Sequence, residues 1–208
     1  MRRLNVLKAM LNKVTRIIGV LFFNVMLTAC ALQVQESASH IDTENKIRLS
    51  SYYAEAVSAA KNGLIDKAIE LFETVVHESH DFGDAYTYLG LQHLQKNDLD
   101  KADRAFEKAI LLDSTNFVAY NHRGVILRNR GDFSAANMMY QAAIKYNPDY
   151  ANAHFNIAIL YDIYLYDLEK ALYHYRTFQA LSGESDKLVE KWIIDLERQI
   201  VTASKDNV

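Results

Sequence analysis

The chain has 208 residues, half of them apolar, with 23 basic residues, 26 acidic residues and one cysteine, Cys30. That supply of apolar residues suffices for a domain with a proper core, while a lone thiol excludes an internal disulfide and a multi-cysteine metal site. Five basic residues and no acid precede Cys30, so the remainder carries 18 basic against 26 acidic residues and a formal charge of −8, where the whole chain reads −3; a surface this acidic argues against nucleic-acid binding and against electrostatic attachment to anionic lipid.

The first element is a leader. Arg2, Arg3, Lys8, Lys13 and Arg16 form a basic start, Ile17 to Leu27 an apolar run, and Thr28-Ala29 a pair of small residues before Cys30. This order describes a secretory signal peptide over 1–29. The run is shorter than the about 20 residues of a membrane span, and Met10 offers a second start that would leave a shorter leader. Leu27-Thr28-Ala29-Cys30 resembles the lipobox of bacterial lipoproteins. The resemblance implies cleavage before Cys30 and acylation of the cysteine, hence a lipid-anchored envelope protein of a Gram-negative cell. Ala31 in place of Asp implies sorting to the outer membrane, facing the periplasm. Several acyl chains hold a protein to a bilayer where one holds it only marginally. Residues 30–46 are mostly polar, lack periodicity and read as the lipidated cysteine and its tether.

A repeat follows. Ala68, Ala102 and Ala136 are spaced by 34 residues, as are Phe72, Phe106 and Tyr140; Gly63, Asn97 and Gly131; and Ala56, Gly90 and Gly124. Four columns in one register predict a helix–turn–helix unit repeated along the chain. The small residues mark close helix approaches, the rings fill the space between helices, and Gly63, Asn97 and Gly131 suit a left-handed helix end. The pattern resembles the tetratricopeptide repeat: Tyr86, Leu89, Gly90, Ala102, Phe106 and Ala109 fit one unit, and Tyr120, Gly124, Ala136, Tyr140, Ala143 and Pro148 the next. Arg123 departs from the pattern, which has Leu there. The units run over about 49–82, 83–116, 117–150 and 151–185, and the fourth has one extra residue between its helices. The resemblance implies an all-α fold, a right-handed solenoid of paired helices over 47–201.

A solenoid needs a cap at its last repeat. Residues 186–201 supply an amphipathic helix with Leu188, Trp192, Ile193, Leu196 and Ile200 on one stripe. Trp192 reads as a core residue of that cap. The tail 202–208 is expected to be loose.

Nothing in the sequence selects a catalytic site, a metal or a cofactor. His77 and His80 are three apart at a helix end without a third ligand. His93, His122, His154 and His174 lie on repeat helices. There is no glycine-rich phosphate loop and no serine elbow. The expectation is a protein that is not an enzyme.

The resemblance to tetratricopeptide proteins also implies where a partner binds. First helices of successive repeats line a concave groove for a protein or peptide. Carried over, the lining is Tyr53 and Val57; Thr87, Leu91 and Leu94; Asn121, Val125 and Arg128; and Phe155, Ile159 and Asp162. It is more apolar than the basic-plus-asparagine clamp that some relatives use for carboxylate termini. Tyr164 and Tyr166, in the lengthened turn of a tyrosine-rich stretch, form a second surface. The expected function is an outer-membrane-anchored scaffold or adaptor that serves an envelope-assembly, pilus, secretion or TonB-type energy-transduction machine. The alternatives are a peptidoglycan-related enzyme and a self-associating structural lipoprotein, a homo-oligomer.

Overall fold

The structure is a computed structural model that describes residues 43–183 and 186–206. The leader, Cys30 and the tether up to residue 42 lie outside the described residues. Every regular element among the described residues is helical: α1 (43–61), α2 (Ile65–Glu78), α3 (Gly83–Gln95), α4 (Leu99–Leu112), α5 (Phe117–Asn129), α6 (Phe133–Tyr146), α7 (Ala151–Ile159), a π-helical turn (Leu160–Leu165), α8 (Leu168–Ser182) and α9 (Lys187–Asp206). The chain divides into two units at Ser51/Tyr52. Of the first unit, residues 43–51 are described; they are helical and largely exposed. Residues 43–46, assigned by sequence to the tether, are therefore helical. A helix that is polar all round carries no apolar period by which to recognise it.

The second unit carries the repeats. The two helices of each later repeat pack together, α3 on α4, α5 on α6 and α7 on α8, and each second helix packs on the next first helix, as in α2 on α3 and α4 on α5. The second helices α4, α6 and α8 start where an aspartate accepts a backbone N–H three residues on: Asp98 from Lys101 at 3.3 Å, Asp132 from Ala135 at 3.0 Å and Asp167 from Lys170 at 3.2 Å. Such a cap satisfies one of the orphan donors of the first turn. Just before each cap the chain turns left-handed, at Asn97 (φ 59°) and Gly131 (φ 81°), as their column predicts.

The steric columns are confirmed by their contacts. A Cβ added at Gly90 would lie 2.7 Å from the ring of Phe106, and one at Gly124 would lie 2.6 Å from the ring of Tyr140. Each glycine exists so that a fully buried ring can lie against helix backbone. Arg123, the departure from the pattern, forms part of a charged seam between α4 and α5. Its guanidinium donates to Asp103 at 2.9 Å and to Glu107 at 3.1 Å, and Arg130 donates to Asp103 at 2.5 Å and to Asp100 at 2.7 Å.

The extra residue of the fourth repeat is absorbed by the π-helical turn, which ends at Tyr166 with φ 54°. A π turn is the usual way to hold one inserted residue inside a helix. Tyr166 thus stands where the earlier repeats have Gly63, Asn97 and Gly131. A bulky side chain with positive φ is strained, and Tyr166 is 79% exposed, so packing does not offset the strain. Tyr166→Gly is expected to raise stability by roughly 1 kcal/mol, seen as a higher melting temperature.

The cap forms and is longer than the sequence suggested. Val189, Ile193 and Leu196 are buried, whereas Leu188 is 54% exposed. Of the predicted stripe Trp192, Ile193, Leu196 and Ile200 are buried or half-buried, and only at its start does Val189 take the place given to Leu188. Residues 202–206, assigned to the loose tail, continue α9. Trp192 packs on Tyr175, with ring centroids 5.5 Å apart, and on Phe155 at 6.3 Å.

Candidate partner-binding groove

The predicted lining residues form three columns on the first helices, at 34-residue spacing: Tyr53, Thr87, Asn121 and Phe155; then Val57, Leu91, Val125 and Ile159; then Leu94, Arg128 and Asp162. The structure gives these columns different environments. Val57, Leu91, Leu94, Val125 and Ile159 are half-buried, one side of each on the core. Thr87 and Asn121 are buried and hydrogen-bonded through their side chains. The Thr87 hydroxyl accepts from Asn116 Nδ2 at 2.8 Å, and Asn121 Oδ1 accepts from Asn156 Nδ2 at 2.9 Å. The first bond ties Thr87 to the residue that caps α5, the second bridges neighbouring repeats, and together they hold the first helices in register.

At the C-terminal end the groove is largely filled by the protein itself. Phe155 lies against Phe178 at 4.9 Å and under Trp192. Asp162 accepts a hydrogen bond from the Tyr175 hydroxyl at 3.3 Å; burial raises its pKa and that hydrogen bond lowers it. Arg128 reaches Asn156 O at 3.5 Å. Tyr164 packs on Phe133 of α6, with centroids 4.6 Å apart, while Tyr166 is largely exposed and borders a surface hollow shared with Ile200 and Ala203 of α9.

The N-terminal end is open. Tyr53, Thr87 and Leu91 border a cavity of about 530 Å³. Its other walls come from the ends of helices: Asp84 in the first turn of α3, Asp113 after α4, Phe117 and Val118 at the start of α5, and Tyr146 at the end of α6. Tyr53 touches Phe82 at 4.9 Å and Tyr88 at 6.0 Å. Burial pushes the Tyr53 hydroxyl up to about 12, with Asp84 and Tyr88 adding to the shift. The helix-end residues escaped the sequence reading because they lie outside the first-helix columns.

A second feature also escaped it. His154 is buried; its Nε2 lies 2.9 Å from Pro148 O and its Nδ1 lies 3.0 Å from His174 Nδ1. The carbonyl can only accept, so His154 carries its proton on Nε2 and His174 donates from Nδ1. Tyr161 stacks on His174, with centroids 5.9 Å apart. Burial first, and His154 second, lower the His174 pKa to about 4. Burial also lowers His93 and His122. The unfolded chain then binds more protons than the folded one between pH about 6.5 and about 4. This stability is present above pH about 6.5 and is lost as the pH falls towards 4. His174 is only half-buried, so its share is about 1–2 kcal/mol after solvent screening. Urea unfolding at pH 7.5 and pH 5 is expected to show the loss, with a smaller difference in His174→Asn. His80 Nδ1 lies 2.9 Å from Val76 O at the end of α2, and among the described residues no three His, Cys, Asp or Glu side chains converge as metal ligands.

Known proteins share the repeat. A tetratricopeptide-repeat family model matches residues 83–116, and a second model, described as TPR repeat, matches residues 124–162. BBSome complex member BBS4 of Bos taurus is 33% identical over 79 residues, which are 38% of this chain; the chain spans about 15% of that relative's length. Among solved structures, MamA superposes with a TM-score of 0.58 at 22% identity, over 65% of this chain and 73% of that one. YrrB, described as a TPR protein with an unusual peptide-binding site, gives 0.56 at 21% identity, over 68% and 71%. The likeness to these two structures concerns the fold. The family models thus place tetratricopeptide repeats at residues 83–116 and 124–162, and the structural neighbours and the paired helices agree on an all-helical repeat fold.

Proposed function

We propose that the protein is an envelope lipoprotein that uses its tetratricopeptide domain as a scaffold, anchored through acylated Cys30 to the periplasmic face of the outer membrane, and that it holds a protein or peptide partner in its groove. The open cavity bordered by Tyr53 and Leu91 carries this reading, since it is a concave, aromatic-rich site on the first-helix face. Binding energy comes from burying a partner's side chains against the rings. The anchor raises the local concentration of whatever is bound, which favours assembly of a membrane-associated machine; the classes served are envelope assembly, pilus or secretion systems and TonB-type energy transduction. Support for the anchor is the basic–apolar–small order before Cys30 and its likeness to a lipobox. Among the described residues no helix is long and apolar enough to cross a membrane. The experiment is fractionation of cells that make Cys30→Ser. The variant is expected in the soluble periplasmic fraction, with the wild type in outer-membrane fractions; retention of the variant in the membrane overturns the anchor.

A further inference from the structure

The open end of the groove carries information on the chemistry of the partner, and the inference rests on the groove reading above. Four rings, Tyr53, Tyr88, Phe117 and Tyr146, and two carboxylates, Asp84 and Asp113, face the cavity, and none of its lining residues is Lys or Arg. Asp113 Oδ1 accepts from the Thr115 backbone N–H at 2.9 Å and from the Thr115 hydroxyl at 2.7 Å, which fixes that carboxylate in place. Among the described residues neither Asp84 nor Asp113 is in an ion pair. Elsewhere in the domain some acidic groups are paired, Asp66 with Lys96, Glu55 with Lys67, and Asp100 and Asp103 with Arg130; what sets Asp84 and Asp113 apart is their place at the aromatic cavity.

Two unneutralised carboxylates at an aromatic cavity select for positive charge. Ring faces attract cations, and the two carboxylates, exposed at the rim of the cavity, add a solvent-screened pull of the same sign. The same field repels an anionic chain terminus, the opposite of a basic clamp. A volume of about 530 Å³ lies within the range of sites that enclose a ligand group. We propose that this cavity receives a lysine or arginine side chain from an extended basic segment of the partner protein, the alkyl stem along the rings and the cationic head against Asp84 and Asp113.

The test uses the full-length protein in detergent and randomised peptide pools that differ only in one fixed central residue: Arg, Lys, Leu or Glu. Binding is read by fluorescence polarisation. The Arg and Lys pools are expected to bind at least about tenfold more tightly than the Glu pool. Asp84→Asn/Asp113→Asn keeps the shape and the Thr115 acceptor; it is expected to erase that preference, to leave the Leu pool unchanged and to melt like the wild type. Leu91→Ala is expected to weaken all pools. A preference for the Glu or Leu pool, or a cationic preference that survives the double Asn variant, overturns this inference and leaves the groove reading standing. No binding by any pool, or binding indifferent to Leu91→Ala, overturns the groove reading and this inference with it.

Discussion

Phe106→Ala is expected to lower stability by about 3–5 kcal/mol, measured by urea unfolding. The ring is fully buried, lies against the backbone at Gly90 and stacks on His122 at 5.5 Å. It therefore joins α3, α4 and α5, and its loss opens a cavity that helix backbone cannot close. Gly90 is a glycine only because the ring is there. In Phe106→Ala/Gly90→Ala the added methyl enters the vacated space, and part of the loss is expected to return. Gly90→Ala alone drives a Cβ into the ring and is expected to cost about 1–3 kcal/mol. The same substitution thus changes sign with its neighbour, a coupling that only direct contact produces. Additive losses would show that the Gly90–Phe106 contact is not as described.

Leu196→Asp has an effect of similar size at the other end of the domain. Leu196 is 2% exposed and sits with Val189 and Ile193 in the cluster that also holds Ile157, Leu160 and Tyr175. An unpaired carboxylate there costs about 3–5 kcal/mol unless α9 lifts away. Trp192 is the single tryptophan of the chain and lies on α9 against Tyr175 and Phe155. Its fluorescence therefore reports the cap alone. Red-shifted emission with most of the helical signal retained is expected. Unchanged emission with unchanged stability would show that α9 does not cap the fourth repeat.

The parts of the fold that were legible in the sequence are those fixed by steric necessity. A ring at Phe72, Phe106 and Tyr140 demands a small residue opposite it, so both appear at a constant interval, and the extra residue of the fourth repeat shows as a broken interval. Tyr166 hid its role because no bulky residue is expected at a left-handed position. Only the first residue of the α9 stripe was misplaced, because Leu188 and Val189 are both apolar and contact with the core chooses between them. The seam from Arg123 to Asp103 and the His154–His174 pair join residues 20 apart on different helices, with no periodic signal. The first-helix columns were legible, but which of them border a cavity and which are filled was not. Phe155 and Tyr53 occupy equivalent positions, yet one lies under Trp192 and the other borders a cavity. Asp84 and Asp113 lie at helix ends, where polar residues are ordinary and attract no notice.

Binding through the first-helix face is the central claim, and site-specific photocrosslinking in intact cells tests it most directly. A photoreactive amino acid replaces Leu91 in the groove or, as the control, exposed Lys108 on α4. Irradiation is expected to yield one discrete adduct of higher mass from position 91 and none from position 108. A discrete adduct from position 108 with none from position 91 would contradict the account.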